Sequence, residues 1–410
     1  MTDLAKTARK ITFTLFLAQS LYSAGYLAGA PVNAILGAKL GGARWAGLPP
    51  AILLVGSALA APVWGILMDK FGRRKGIALG LIFGALGSAL IVMAANQSLL
   101  LLMLGGMLFV GFAQSAMLLG RFAAAEVNPP TKRGGAIANV VLGGTFGAIV
   151  GPLLVAPMAL FALSLGMDEL AGGYIAGLIL MGFASLTIFF GLRPDPREIG
   201  KEVAALYPDS APEGEARPIG VIFRQPAALI AVTAMVIGQV VMIAIMVITS
   251  LHMKGNDHGL GSISAVISAH TVGMFAFSVV SGRLADKWGR APVILTGAAI
   301  LVLACFTAPL SSNVFPIAVS LFLLGLGWNF CFVGGSTLLA DQLSQAERAR
   351  TQGVNDLLVG LASATGSLGS GLVYAATSYT VISLVGGGLS LIPLGMALTW
   401  ILRKKAQASV

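Results

Sequence analysis

Charge is what this sequence has least of. Lys, Arg, Asp and Glu together make up 10% of the 410 residues, where a soluble globular chain carries about 25%. So little charge cannot cover a surface facing water, and a water-soluble globular fold is excluded. Acidic residues are the scarcer kind, 16 against 26 basic, and all of them fall in loops or near the ends of apolar runs. An intramembrane enzyme would need paired carboxylates or a His–Asp cluster within those runs. None is present, so catalysis is not expected. Cysteine is nearly missing as well. Cys305 and Cys331 lie in separate apolar runs, with no CxxC or Cys/His spacing. Neither a disulfide framework nor a metal site follows from them. No Walker-type Gly-rich loop occurs, so ATP does not drive the protein directly, and no cofactor is expected.

What is present is apolar sequence in long pieces. The chain is 57% hydrophobic, with a net charge of +10 and a mean hydropathy of +0.89. About 20 apolar residues span a bilayer as a helix. Twelve such runs are expected, near 12–31, 48–68, 76–95, 98–123, 134–157, 172–192, 227–251, 262–283, 291–311, 314–340, 352–377 and 380–402. They are too long and too continuously apolar for barrel strands, which would be shorter and would alternate. The expected fold class is therefore an all-α polytopic membrane protein. With both termini in the cytoplasm, 22 of the 26 basic residues fall on the inner side. That bias is how basic residues set orientation, and it explains the net charge without nucleic acid. The expected location is the plasma (inner) membrane.

The runs fall into two sets of six. Residues 193–226 are rich in Pro and charge and read as a linker between an N-terminal bundle, 1–192, and a C-terminal bundle, 227–410. The two halves repeat. "GILMDKFGRRK", residues 65–75, returns as "GRLADKWGRAP", residues 282–292, with Asp69 and Asp286, Gly72 and Gly289, and Arg73 and Arg290 each 217 positions apart. Glu126 and Arg133 match Asp341 and Arg348 at an offset of 215. Two six-helix bundles related by a pseudo-two-fold axis are the usual plan of a transporter that holds its substrate near the midplane.

The repeated turn has its own physics. Gly72 permits a tight turn through positive φ. Gly65 removes a side chain where a helix end could approach another closely. Asp69 can face a helix N-terminus or a basic side chain, each worth about 0.3–1 kcal/mol at an exposed site. Gly65, Asp69, Lys70, Gly72 and Arg73, and again Gly282, Asp286, Lys287, Gly289 and Arg290, resemble the first signature of the major facilitator superfamily. The resemblance covers essentially the whole chain. It implies twelve helices and transport by alternating access. It also implies an inner latch between the halves in which Asp69 and Arg73, with Asp286 and Arg290, hold the outward-open state.

Other residues are candidates for substrate or coupling. Arg121 lies inside an apolar run and faces either a cavity or, by snorkelling, Glu126. Gly143, Gly147 and Gly151 share one helix face, which suits close packing. Gly147, Gly151 and Pro152 also partly resemble the superfamily's antiporter signature, the basis for a slight preference for export. His270 sits mid-span, where it could bind substrate, carry a coupling proton, or bond a neighbouring helix. Asp356 is the acidic residue closest to the interior. Gln19, Tyr22, Tyr26, Gln239, Trp328 and Asn329 are polar or aromatic positions in runs that line the cavity in this family. The expectation is a secondary transporter of a neutral, amphipathic or singly anionic organic solute. Its partners would be that solute, the bilayer and protons, and it would act as a monomer. The competing readings are an uptake symporter or facilitator, and a non-transporting sensor on the same fold.

Overall fold

A computed structural model describes residues 2–129, 132–207 and 217–408, without the side chains of 2, 3, 345, 346, 348, 349 and 404–408. The described residues are helical almost throughout and contain no strand. The chain divides into two compact units. One comprises Met1–Gly41 with Leu48–Ala211, the other Gly42–Gly47 with Pro212–Val410.

The first unit contains α1 (Thr2–Gly41), α2 (Leu48–Phe71), α3 (Arg73–Gln97), α4 (Leu100–Glu126), α5 (Arg133–Leu153), α6 (Val155–Ser164), α7 (Gly172–Gly191) and α8 (Pro196–Leu206). The second contains α9 (Ile219–Phe223), α10 (Pro226–Gly255), α11 (Leu260–Phe275), α12 (Ser278–Trp288), α13 (Arg290–Thr307), α14 (Val314–Ala340), α15 (Gln345–Ala376) and α16 (Tyr379–Ala408). Among the described residues, eleven helical stretches are long and apolar enough to cross a membrane. The forty-residue α1 is the twelfth long helix. Large apolar side chains point outward from these helices: Leu101 is 84% exposed, and Leu310 and Phe315 are each 78% exposed. Such a surface is stable only with lipid as the solvent.

Both units use one packing plan. In the first, α1 packs on α5 and α7, α3 on α4 and α7, and α2 on α4. In the second, α10 packs on α15 and α16, α13 on α14 and α16, and α11 with α12 on α14. The sequence repeat is thus a structural repeat.

Two expected spans are broken. The fifth ends as α5 at Leu153 and resumes as α6 at Val155. Pro152 and Pro157 lack the N–H groups that would tie this stretch to the preceding turn. The eighth is split into α11 and α12 without any proline. There Asn329 of α14 donates through Nδ2 to the freed carbonyl of Met274 at 2.7 Å and to Ser278 Oγ at 2.9 Å. Its Oδ1 accepts from Ser281 Oγ at 2.7 Å. A side chain inserted in the backbone ladder is a recognised cause of a helix break. The glycine stripe of α5 serves packing. Cβ atoms at Gly143, Gly147 and Gly151 would stand 2.4, 2.4 and 2.8 Å from the carbonyl oxygens of Phe16, Ser20 and Ala24, so α1 and α5 touch backbone to backbone.

The expected linker is partly structured. Asp195 caps α8 with Pro196 at its first position, and Ile199 and Val203, four apart, bury one face of the helix.

Candidate functional site

The turn between α2 and α3 is made by Gly72 at φ 97° and ψ 157°. That region is essentially closed to residues with a Cβ. A Cβ there would also lie 2.4 Å from Asp195 Oδ2. The approach is close because the Asp195 carboxylate caps two helices. It accepts from the backbone N–H groups of Arg73 and Arg74, each at 3.1 Å, and of Arg197 at 3.0 Å. These are orphan donors at helix starts, where negative charge is favoured.

Asp69, expected as a candidate for that N-terminal role, does not fill it. It is 73% exposed and accepts from Arg73 Nη1 at 2.7 Å. It ends α2 on the far side of the glycine turn, within reach of the guanidinium but not of the first α3 amides. Gly65 also departs from expectation. A Cβ there meets nothing within 4 Å, and the same holds at Gly282, so no close approach requires either glycine in this structure.

Arg73 is the centre of the first cluster. Its Nε and Nη2 donate to the two oxygens of Glu126 at 3.1 and 2.7 Å, the bidentate geometry that makes Arg–carboxylate pairs strong. Glu126 is therefore held by Arg73. The second unit repeats the arrangement. Gly289 turns at φ 95° and ψ 161°. Arg290 donates to Asp286 Oδ1 at 3.1 Å, to Asp341 Oδ2 at 2.9 Å and to the Ala285 carbonyl at 2.7 Å. The two sequence matches thus belong to a single triad in each unit, Asp69–Arg73–Glu126 and Asp286–Arg290–Asp341. Arg133, which the repeat groups with Glu126, lies in the wall of a cleft of about 610 Å³ beside the first triad. The Arg348 side chain lies outside the described residues.

A further carboxylate cluster was not found by sequence reasoning. Glu347, 2% exposed, accepts from Arg217 Nε at 2.6 Å, Nη2 at 2.8 Å and backbone N–H at 3.0 Å. It also accepts from the Ser344 backbone N–H at 2.9 Å, closing a capping box at the start of α15. The Arg217 hydrogen bonds, with the Ser344 N–H, hold its carboxyl well below the usual carboxylate range. The same hydrogen bonds raise Arg217 above its ordinary value. The signal was in the sequence: Ser344-Gln-Ala-Glu347 is a capping-box spacing.

The mid-span candidates divide into two kinds. Some are hydrogen-bonded within the protein. His270 is 0% exposed with Nδ1 2.8 Å from the Leu321 carbonyl, Gly325 leaves the room for it, and its Nε2 is buried without a hydrogen-bond partner. Asn329 is consumed in the α11–α12 break. Trp328 Nε1 donates to Gln239 Oε1 at 2.7 Å, and Gln239 Nε2 donates to Ser363 Oγ at 2.7 Å, joining α14, α10 and α15. Gln19 donates to Ser23 Oγ at 3.0 Å. Asp356, exposed on α15, accepts from Gln352 Nε2 at 3.1 Å.

Others carry an enclosed polar atom that meets no hydrogen-bond partner. Tyr22 stacks on Tyr26 with ring centroids 6.0 Å apart, and its Oη meets no hydrogen-bond partner. Gln114 Oε1 is in the same condition, as are Thr351 Oγ1 and Asn355 Oδ1 on one face of α15. Such atoms cost about 1–3 kcal/mol each unless water or a ligand meets them. Arg121, seven residues after Gln114 on the same face of α4, has its guanidinium 5.0 Å from the Phe122 ring centroid. Gln114, Thr351 and Asn355 were missed: Gln114 interrupts an apolar run, whereas Thr351 and Asn355 lie in a polar stretch beside Arg350, Gln352 and Asp356.

Comparison with known proteins gives consistent findings. The family model described as Major Facilitator Superfamily matches residues 15–262 and 241–410. The chain is 34% identical over 387 residues to an uncharacterized MFS-type transporter, YdeG, of Bacillus subtilis (strain 168), covering 94% of this chain and 90% of that one. It is 29% identical to the riboflavin transporter RfnT of Brucella anthropi, covering 88% and 87%. The solved structure of the nucleoside transporter NupG superposes with a TM-score of 0.70 at 17% identity, covering 96% and 98%.

Proposed function

The chain belongs to the major facilitator superfamily, and on that premise we propose that it is a secondary carrier moving a small organic solute across the membrane by alternating access. The observation that carries this reading is the twice-built triad on a glycine-only turn, one in each six-helix repeat. A charge cluster used only for orientation would need basic residues, not an Arg shared by two carboxylates at matched positions. The repeats correspond to 1–192 and 227–410, joined by 193–226, with both termini in the cytoplasm and the protein acting as a monomer in the plasma membrane. The triads are the gate: Arg73 and Arg290 change partners as the repeats move.

The solute is a neutral or singly charged molecule with a flat ring system. Each unit offers groups that favour it: stacked Tyr22 and Tyr26 with Gln114 Oε1 in the first, and the Gln239–Trp328 pair in the second. A riboflavin-like heterocycle, suggested by the relative of that name, has this chemistry and is the first solute to test. The glycine pattern of α5 is taken up by packing on α1, so export gains no support from it.

The test is flux in proteoliposomes with riboflavin and a panel of neutral and anionic heterocycles. Imposed pH gradients of either sign read the coupling ion and the direction. Saturable flux abolished by Arg73→Gln is expected. Specific binding without flux for every solute would sink the carrier reading in favour of a sensor on the same fold.

A further inference from the structure

The cleft beside the first triad holds more positive charge than the triad uses. Asp69 and Glu126 share the single guanidinium of Arg73, so these three groups together carry one negative charge. Arg133, Arg197 and Lys201 line the same cleft and leave it with two net positive charges. Arg133 Nε is closed off from solvent and has no hydrogen-bond partner. Arg197 uses one Nη on the Lys70 carbonyl at 3.3 Å and lines the cleft. Lys201, four residues later, lies on the same face of α8. Gly200 lets α8 settle against the end of α4, since a Cβ there would be 3.2 Å from Glu126 Cβ. That seating brings the cations of α8 opposite the start of α5. At that start Lys132 supplies no side-chain cap, so the helix dipole adds to the positive potential.

We propose that this cleft is a binding site for a phosphate group, held by Arg133, Arg197 and Lys201. A carboxylate is planar and is satisfied by one guanidinium fork. Cations arriving from two helices suit a tetrahedral oxyanion that accepts from several directions at once. The cleft volume of about 610 Å³ leaves room for the phosphate to carry a substituent, and lies in the range of small-molecule sites. The phosphate can come from an anionic phospholipid headgroup or from a soluble phosphate. The site does not depend on which solute is carried.

The experiment uses the full-length protein in neutral detergent. It is titrated with inorganic phosphate at constant ionic strength and, separately, with mixed micelles containing phosphatidylglycerol or phosphatidylcholine. Melting temperature is the readout. A rise with inorganic phosphate identifies a soluble source. A rise with phosphatidylglycerol but not phosphatidylcholine identifies a headgroup. In either case Arg133→Gln and Lys201→Gln should weaken the apparent affinity about tenfold or more, as expected for loss of a charge-assisted hydrogen bond. Lys75→Gln, exposed and outside the cleft lining, should not. Lys201 is exposed on α8, so its variant remains informative even if Arg133→Gln lowers the folded yield. No rise with inorganic phosphate or phosphatidylglycerol, an equal rise with phosphatidylcholine, or full affinity in both cleft variants would overturn the site. Because the readout is binding, none of these outcomes bears on whether the protein carries a solute.

Discussion

Replacing Gly72 by Ala isolates the two demands that meet at the first triad. The residue sits at φ 97° and ψ 157°, where a Cβ costs about 1–3 kcal/mol in backbone strain. The same Cβ would stand 2.4 Å from Asp195 Oδ2, so the carboxylate must leave the amides of Arg73 and Arg74. Losing a cap costs about 0.5–2 kcal/mol. The two contributions together give about 1.5–5 kcal/mol. Gly289→Ala is the matched control. Its backbone is nearly identical, φ 95° and ψ 161°, but the new Cβ would meet only Pro292 Cδ at 3.7 Å. It should lose the strain contribution alone, about 1–3 kcal/mol. Gly65→Ala is the opposite control: inside α2, with nothing within 4 Å, it should gain about 0.5–1 kcal/mol from helix propensity.

The assay is the unfolding midpoint in a denaturing-detergent titration of purified protein, followed by circular dichroism. The expected order of stability is Gly65→Ala, wild type, Gly289→Ala, Gly72→Ala. A cycle with Asp195→Ala separates the two causes. In that background the clash is gone, and Gly72→Ala should cost no more than Gly289→Ala, a coupling of about 1–2 kcal/mol between positions 72 and 195. If Gly72→Ala is no worse than Gly289→Ala, or if its excess cost survives in Asp195→Ala, the shared cap is not what fixes this turn.

Asp69→Asn should barely change stability, by less than about 1 kcal/mol, because the Asp69 carboxylate is largely exposed. It should nevertheless depress flux strongly, and wild-type flux would remove Asp69 from the gate. Glu347 titrates with a lowered value in the folded protein, so its stabilisation is complete above the ordinary glutamate value of about 4.3 and is lost as pH falls below it. The stability gap between wild type and Glu347→Gln should be flat from neutral pH to about pH 5 and shrink at lower pH; a gap that widens on acidification contradicts the assignment. Asn329→Leu should destabilise by about 1–3 kcal/mol through the orphaned Met274 carbonyl, measured by the same titration; Ser281 Oγ keeps the Ser278 carbonyl at 3.1 Å. Any pH dependence of flux should survive His270→Gln, since His270 is committed to the Leu321 carbonyl; its disappearance would return His270 to the coupling mechanism.

The parts of the fold that were legible in the sequence are those whose cause is local. A run of apolar residues makes a membrane helix whatever surrounds it. A glycine before an Arg at two matched positions marks a turn with φ above zero, and both Gly72 and Gly289 adopt it. The α11–α12 break was not legible, because its cause, Asn329, lies on a different helix and no Gly–Pro pair marks the spot. Asp195 was hidden for a related reason. It lies 122 residues beyond Arg73, in a stretch whose proline and charge read as linker. The α8 signal was nevertheless there: Asp195 as N-cap, Pro196 at the first turn, and Ile199 and Val203 four apart. Charge composition outweighed periodicity in that reading, and the periodicity was the better guide. The triads were half legible. Offsets of 217 and 215 located the right residues, but spacing along the chain joined Glu126 to Arg133, while the fold joins it to Arg73.

The repeat is not exact, and the differences concern the linker. The α3 N-terminus is capped by Asp195 from outside the repeat, whereas the α13 N-terminus has only Gly289 before it, with no side-chain cap. In the second unit the linker bonds elsewhere: Arg217 is clamped by Glu347 and donates to the Gln342 carbonyl, in the turn between α14 and α15. Each end of the linker is therefore tied by a carboxylate to a helix start of its own unit, α3 on one side and α15 on the other. In the proposed cycle each repeat carries its end of the linker with it, and no hydrogen bond of either clamp has to break as the repeats move. The clamps belong to the architecture of the single repeat, while Asp69 and Asp286 are the most exposed members of the two triads, and in the proposed cycle they are the partners that Arg73 and Arg290 release.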